Sequence, residues 1–248
     1  HIECNHIWEG WDSNGELLFK KGKIVKSDYI IFSLGGASWK VTGSDGFWLK
    51  PFAKKEINTL PFLPANCGYK IDWPTTFVTK NEGSPLKNIA LSCSGKTQTG
   101  ELVITKFGLE GNAIYALSPE IQSLLSSEGA ATVFLDLKPT LHLAEVYQKI
   151  TASGLKTTEI LKRKLKLSSV QIGLLKSALT KEEFTSHDVL AEKIKALPLT
   201  VHSAAKLDEA ISTTGGIALE AVNENFELVN LKNSFCIGEM LDWNAPTG

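Results

Sequence analysis

The strongest fold signal in the sequence is the run DYIIFSLGG at residues 28–36. It is short, almost continuously apolar, and ends in two glycines. Such a run suits a strand buried on both faces, as in the parallel sheet of an α/β domain, better than a half-exposed hairpin strand. Glycines at the end of a strand let the backbone approach a bulky ligand and expose N–H groups. For this pair of glycines alone, a tight turn without a ligand is the alternative.

The residues around this run indicate β-structure. Residues 1–34 are typical of antiparallel strands, with a turn at 13–15 (SNG) and a second break at 21–23 (KGK). Residues 60–111 carry prolines and glycines between short apolar runs such as 76–78 (TFV) and 102–104 (LVI). That spacing predicts a small, turn-rich β-domain.

The next segment is predicted to be mainly helical. Ser118-Pro119-Glu120 has the hydroxyl cap, early proline and acid of a helix start. Residues 132–137 alternate like a strand, and residues 141–197 are predicted to be helical, with Pro198 enforcing the stop. The apolar helical stripes are Leu143, Val146, Tyr147 and Ile150, then Leu190, Ile194 and Leu197. The basic residues 162–166 are interpreted as a solvated helix face, with a nucleic-acid patch as the weaker alternative.

Composition excludes several classes of function. The 248 residues have a net charge of −1 and a single arginine, Arg163, which gives little material for binding nucleic acid. No apolar run approaches the roughly 20 residues that span a bilayer. Four scattered cysteines indicate reduced thiols, and the histidines lack metal-ligand spacing. We therefore expect a cytoplasmic protein without nucleic-acid, membrane or metal partners.

Both termini look cut. The chain begins at His1 without an initiator methionine, its sole methionine is Met240, and it stops at 246–248 without a closing element. We expect this chain to be a piece of a longer polypeptide, and we divide the chain itself into three parts. These are a first segment at 1–45, an insertion at 46–200 (β-rich at 46–138, helical at 139–200) and a return segment at 201–248.

Three glycine-rich bends are candidates for ligand binding, at residues 35–39, 212–217 and 235–248. Glu239 follows Gly238 at a predicted strand end, where its carboxylate can accept hydrogen bonds from sugar or polyol hydroxyls. The alternatives are a tight turn for each glycine pair, and a helix-terminal or surface acid for Glu239. Asp136, Trp48 and Trp73 are interpreted as structural, the first ending a strand and the two tryptophans packing.

Taken together, the glycine-rich motifs carry a family resemblance. They are GGASW at 35–39, GSDG at 43–46, PAN at 64–66, GLEG at 108–111, AIS at 210–212, GG at 215–216 and GEMLDW at 238–243. In this order they resemble bacterial FAD-dependent flavoproteins, called NAD(FAD)-utilising dehydrogenases, BaiN-like or aminoacetone-oxidase-family FAD-binding enzymes. The resemblance runs along nearly the whole chain, and residues 238–248 are its most specific part.

The resemblance implies an α/β fold: part of a split, Rossmann-like FAD-binding domain with an inserted β-barrel-like and helical domain. It places Glu239 at the ribityl or pyrophosphate region, and residues 247–248 ahead of a helix whose N-terminus faces the flavin ring. The implied cofactor-binding residues are Gly35, Gly36, Ser38, Trp39, Gly215, Gly216, Gly238, Glu239, Asp242, Thr247 and Gly248. The chain departs from the family pattern in lacking the upstream glycine fingerprint and the closing helix.

The implied function is hydride transfer between FAD and a small organic substrate, with NAD(P)H as a suggested reductant. No catalytic residue is predicted. Glu239 and Asp242 are the nearest candidates, and Glu239 is assigned to binding. The alternative is a structural or interaction module that is catalytically inert in this form.

Overall fold

Strands and helices are mixed along the chain in the computed structural model, which describes residues 1–152 and 154–245. The strands of the described residues are β1 (Trp8–Trp11), β2 (Leu17–Phe19), β3 (Lys23–Val25), β4 (Ile30–Phe32), β5 (Thr59–Ala65), β6 (Tyr69–Lys70), β7 (Pro85–Cys93), β8 (Lys96–Ile104), β9 (Gly108–Glu110), β10 (Ala131–Asp136), β11 (Leu197–Val201), β12 (Ser203–Ala204), β13 (Ser212–Ile217) and β14 (Ser234–Cys236). The helices are α1 (Leu49–Lys54), α2 (Thr75–Asn81), α3 (Asn112–Tyr115), α4 (Ser118–Glu128), α5 (Leu143–Thr151), α6 (Thr157–Arg163), α7 (Ser169–Ala178), α8 (Lys181–Thr185) and α9 (His187–Lys195). The predicted mixed α/β class is confirmed.

The described chain divides into two compact units. Unit 1 consists of His1–Ala65 together with Lys206–Ala245, and unit 2 consists of Asn66–Ala205. Unit 1 is therefore built from two stretches that are distant in sequence. The predicted domain boundaries at residues 45 and 200 stay predictions.

The beginning of unit 1 is an antiparallel meander of β1, β2 and β3. In the first turn, the Asp12 carboxylate accepts hydrogen bonds from the backbone N–H groups of Asn14 and Glu16, at 2.9 and 2.8 Å. Gly15 adopts a φ of 84°, which suits a residue without a side chain. The second break is a 3₁₀ turn at Lys20–Gly22. Both predicted turns are confirmed.

A parallel strand pair joins the two stretches of unit 1. β14 pairs with β4, so that Ser234 lies opposite Ile30 and Cys236 opposite Phe32. The parallel pairing predicted for this run is confirmed, but burial on both faces is wrong, because Ile31 is 65% exposed. Successive side chains of a strand point to opposite faces, and in this strand only the Phe32 face enters the core.

The core of unit 1 is a cluster of aromatic rings. Phe32 lies 5.2 Å from Trp8 and 5.1 Å from Phe52, between ring centroids, and Trp48 lies 5.5 Å from Phe52. These tilted and edge-to-face contacts are the favourable geometries for aromatic pairs. Trp48 is fully buried, so its predicted packing role is confirmed. The cluster gives β4 and the bend that follows it a rigid base.

Unit 2 contains an antiparallel barrel. Its strands pair in the order β11-β10-β7-β8-β9-β6-β12. Because only His202 separates β11 from β12, one bent stretch of chain occupies both ends of this order and closes the sheet. Fully buried apolar side chains from its strands include Leu86, Ile89, Leu91, Leu102, Ile104, Leu109, Val133 and Leu135. The predicted barrel-like architecture is confirmed.

Two local predictions in unit 2 fail for identifiable reasons. Residues 76–78 lie in α2 rather than in a strand, because Pro74 precedes the helix and Phe77 packs on Trp73, with ring centroids 5.4 Å apart. The helix start predicted at Ser118 is confirmed, but the capping position belongs to Leu117, and Ser118 is fully buried. Both outcomes depend on tertiary packing.

Helices α5–α9 occupy the segment predicted to be helical. Val146 and Ile150 are buried, whereas Leu143 and Tyr147, predicted on the same stripe, are exposed. None of the helices in residues 1–152 and 154–245 is long and apolar enough to cross a membrane.

A partly buried lysine links the end of α9 to the turn after β10. The Lys195 ammonium lies 2.6 Å from the Asp136 carboxylate and donates to the carbonyls of Lys138 and Leu141, at 2.8 and 2.5 Å. The Asp136 carboxylate also accepts a hydrogen bond from the Lys138 backbone N–H. The predicted role of Asp136 in ending the strand is confirmed.

Candidate functional site

The bend after β4 is held by two tryptophan side chains. Gly35 adopts a φ of 75°, and its carbonyl accepts a 3.0 Å hydrogen bond from the Trp48 indole. Trp39 adopts a φ of 61°, and its indole donates a 3.0 Å hydrogen bond to the carbonyl of Ala210. Ser38, which precedes Trp39 in the bend, is buried. The first predicted bend is therefore a defined structure that is tied to the return stretch of unit 1.

The three predicted bends meet at Gly36. A Cβ atom built on Gly36 would lie 2.1 Å from Oγ1 of Thr213 and 3.3 Å from Oε2 of Glu239. A Cβ contact under 3.0 Å requires a neighbouring atom to move. Only glycine therefore fits at this position, and one residue from each bend contributes to the junction. We call Gly36, Thr213 and Glu239 the bend junction.

Thr213 carries a buried hydroxyl at the bend junction. Its residue is 2% exposed, and Oγ1 has no hydrogen-bond partner among the described residues. A buried hydroxyl without a partner costs on the order of 1–3 kcal/mol, so each instance needs an explanation. Sequence reasoning missed Thr213 as a site residue, because a threonine within a strand has no distinctive pattern.

The glycines of the second bend serve close backbone packing. Gly215 and Gly216 have φ values of 90° and 99°, which glycine adopts readily. A Cβ on Gly215 would lie 2.2 Å from the Pro61 carbonyl oxygen, and one on Gly216 would lie 2.3 Å from that of Met240. Their neighbours are protein backbone, which accounts for both glycines. Cofactor binding by this pair stays a prediction.

The third bend contains a glycine with no close neighbour on its side-chain side. Gly238 has a φ of 70°, and no atom lies within 4 Å of a Cβ built on it. Glu239 is half-buried. Asp242 serves the fold, because its carboxylate accepts a 2.8 Å hydrogen bond from the Gly215 N–H. Roles for Gly238, Glu239 and Asp242 in cofactor binding stay predictions, and positions 247–248 lie outside the described residues.

An apolar cleft opens beside Gly238 in unit 1. Its volume is about 400 Å³, within the range of small-molecule sites. It is lined by Leu219, Phe226, Ile237, Gly238, Leu241 and Trp243. Phe226 adopts a φ of 62°, a backbone conformation that bulky residues rarely hold. Sequence reasoning missed this cleft, since no local pattern brings Leu219 and Phe226 next to Trp243.

Cys236 lies just before the third bend but is not a reactive thiol. Burial raises the pKa of its thiol to about 12, so the thiolate needed for nucleophilic or redox chemistry is scarce at neutral pH. Among residues 1–152 and 154–245, no group of three or more histidine, cysteine, aspartate or glutamate side chains could hold a metal ion.

The sequence matches one family model. Residues 63–212 match the family described as HI0933-like protein barrel and H2TH domain. The matched range is more than half of the chain, and it includes the barrel and the helices α5–α9 of unit 2. The first and third bends fall outside it, and so does the second bend apart from Ser212.

Proposed function

The chain belongs to the family of the HI0933-like protein barrel and H2TH domain, and on that premise we propose that it is part of an FAD-dependent oxidoreductase. The family is one of FAD-utilising, flavoprotein-like proteins. The observation that carries the proposal for this chain is the bend junction. There, Gly36, Thr213 and Glu239 come together from three bends that the resemblance assigns to the flavin site.

The residues at the bend junction fit the polar part of FAD. The Glu239 carboxylate can accept hydrogen bonds from ribityl or ribose hydroxyls, and the Thr213 hydroxyl is a buried polar group whose hydrogen-bonding capacity is unused. Gly238 presents backbone without a side chain and has no neighbour within 4 Å on that side, which permits close approach of a ligand. When bound, FAD supplies hydride transfer to or from a small organic substrate.

The proposed roles of the protein residues are binding and orientation. Glu239 holds a cofactor hydroxyl, and Thr213 completes its hydrogen bonding with the same ligand. Gly216 keeps the second bend close to the third, since only glycine allows the approach to the Met240 carbonyl, and Gly215 in the same way keeps the second bend close to β5 at the Pro61 carbonyl. NAD(P)H as the reductant stays a prediction.

FAD retention by the natural polypeptide that contains this sequence tests the proposal. After gel filtration with excess FAD, we expect the visible absorption of protein-bound flavin. Glu239→Gln removes a charged acceptor, and we expect about tenfold weaker FAD binding, because hydrogen bonds to charged groups contribute about 1.5–3 kcal/mol. Thr213→Val should also weaken FAD binding while the protein stays folded by circular dichroism.

Val229→Ala is the matched control, since Val229 is exposed in the same unit and is not a bend residue. Its FAD affinity should equal that of the unsubstituted protein. A polypeptide that retains no FAD would refute the proposal and leave the alternative of an inert interaction module. Retention that is indifferent to both Glu239→Gln and Thr213→Val would refute the roles given to these residues.

A further inference from the structure

A cavity of about 320 Å³ lies within unit 2, where the loop after β6 meets the end of α7 and strand β11. Its volume is at the lower end of the range of small-molecule sites. Its floor is apolar, because the buried side chains of Ile71, Leu174 and Leu199 line it. Trp73 also lines it and is held in place by a 3.1 Å hydrogen bond from its indole N–H to the Gly108 carbonyl. We call this the unit 2 cavity.

A histidine and an aspartate line the exposed edge of the unit 2 cavity. Nε2 of His202 lies 3.3 Å from Oδ2 of Asp72, and the Lys70 ammonium lies 3.5 Å from Oδ1 of the same carboxylate. Because a carboxylate only accepts hydrogen bonds, this contact favours a proton on Nε2 and leaves a lone pair on Nδ1 of the neutral imidazole. Nδ1 has no hydrogen-bond partner among residues 1–152 and 154–245. It is therefore available to a ligand.

The polar side chains that line the unit 2 cavity offer more acceptors than donors. The indole N–H of Trp73 and the hydroxyl of Ser177 already donate to backbone carbonyls, at 3.1 and 2.8 Å. The Ser177 oxygen, the Asp72 carboxylate and Nδ1 of His202 can still accept, and the Thr200 hydroxyl can do either. A ligand that donates a hydrogen bond is matched better than one that only accepts.

We propose that the unit 2 cavity binds a small uncharged ring that carries a hydroxyl group, as a phenol does. The ring lies on the apolar floor, and its hydroxyl donates to Nδ1 of His202. An ammonium ligand is disfavoured because the Lys70 ammonium already lies beside Asp72, the one carboxylate in the lining, and an anion is disfavoured by that carboxylate. The inference does not depend on flavin, because every lining residue belongs to unit 2 and none is a bend residue.

Three probes separate the hydroxyl donor from the ring and from charge: para-cresol, para-methylanisole and para-methylbenzylamine. Two-dimensional NMR titration of the isotope-labelled full chain measures each affinity and locates the site through the amide signals of residues 71–74. We expect para-cresol to bind about fivefold more tightly than para-methylanisole, which keeps the ring and the oxygen but cannot donate. The amine should also bind more weakly than para-cresol. The Nδ1 signal of His202 should shift with para-cresol and stay unchanged with para-methylanisole.

Two substitutions test the acceptor and the cavity separately. His202→Phe removes the acceptor and keeps a ring, so it should abolish the preference for para-cresol and change the affinity for para-methylanisole little. His187→Phe is the matched control, since His187 is exposed on α9 and does not line the cavity, and it should keep the preference. Ala178→Trp, at an exposed lining position, should abolish binding of both neutral probes by filling the cavity.

Four results would overturn the inference. They are absence of para-cresol binding, an equal or higher affinity for either of the other probes, shifts confined to the amide signals of unit 1, and a preference for para-cresol that survives in His202→Phe. Circular dichroism checks the folding of each variant. If His202→Phe does not fold, an Nδ1 signal that ignores para-cresol in the unsubstituted chain refutes the role of His202 on its own.

Discussion

Replacing Gly36 by alanine should destabilise unit 1 through a single contact. The added Cβ would lie 2.1 Å from Oγ1 of Thr213, although real Cβ contacts stay above 3.0 Å, so this oxygen must move by about 1 Å. Threonine is stiff at χ1, and it therefore moves by changing rotamer or by shifting the strand. We expect the free energy of unfolding to fall by about 2 kcal/mol, as for other overpacked positions.

The cost should vanish when the oxygen is removed. With Thr213→Ala, the nearest atoms to the new Cβ are Oε2 of Glu239 at 3.3 Å and Cβ of residue 213 at 3.4 Å, and a shift of a few tenths of an ångström by the Glu239 side chain relieves the tighter of these contacts. In that background we expect Gly36→Ala to cost less than about 0.5 kcal/mol, a coupling of about 1.5 kcal/mol between the two sites. Thr213→Val, which keeps a branched side chain, should leave the cost in place.

Urea unfolding followed by tryptophan fluorescence measures this cycle in the relevant unit, because Trp73 is the one tryptophan outside unit 1. Thr213→Val by itself should be neutral or stabilising by about 1 kcal/mol, since it removes a buried hydroxyl that lacks a partner. Additive costs of Gly36→Ala and Thr213→Ala would refute the reasoning. So would a Gly36→Ala protein as stable as the unsubstituted chain.

Four further predictions concern other residues. In urea unfolding, Phe226→Gly should be about 1 kcal/mol more stable than Phe226→Ala, because only glycine adopts a φ of 62° without strain. Glycine is usually the less stable of the two substitutions, and equal stabilities would contradict this prediction. Lys195→Met should lower the free energy of unfolding of unit 2 by about 2 kcal/mol, because it leaves the Asp136 carboxylate without its ion-pair partner. Circular dichroism in urea measures this change, and an unchanged stability would count against a stabilising ion pair. In the native protein at pH 8 a thiol reagent should modify Cys4 and spare Cys236. Burial raises the pKa of the Cys236 thiol from 9.0 to about 12, so the free energy of unfolding should fall as the pH rises from 9 towards 12. Cys236→Ala should lack this fall, and the same pH dependence in both proteins would refute the prediction.

Local signals in the sequence predicted the elements whose causes are local. In the turn at 13–15, the Asp12 carboxylate accepts a hydrogen bond from the backbone N–H of Asn14, two residues further on. The helix start at Ser118 depends on the neighbouring Pro119. Alternation in residues 132–137 predicted a strand with Leu135 on its buried face, which is confirmed. Each of these features is decided within a few residues.

Predictions failed where a distant neighbour decides the outcome. Residues 76–78 have the composition of a strand, but Phe77 is buried in α2. Ile31, Leu143 and Tyr147 are apolar and correctly spaced for burial, yet they remain exposed. Hydrophobic periodicity identifies a face of an element and does not identify what covers it.

The candidate site shows the same division. The glycines at 35 and 238 were visible because a positive φ is a local need of the backbone. Thr213 and Phe226 were not, because their importance lies in which groups the fold brings next to them. A junction of three bends is a tertiary property, and single-sequence reasoning reached only its separate parts.

The discontinuous build of unit 1 has a consequence for synthesis on the ribosome. β4 emerges early, but its parallel partner β14 is translated only after all of unit 2. Unit 2 is continuous in sequence and can complete its barrel first, which shortens the chain that must be closed before β4 and β14 meet. During that interval the aromatic cluster lacks the apolar side chains that residues 217–241 pack against it, so apolar surface of the N-terminal stretch stays exposed until those residues have been translated.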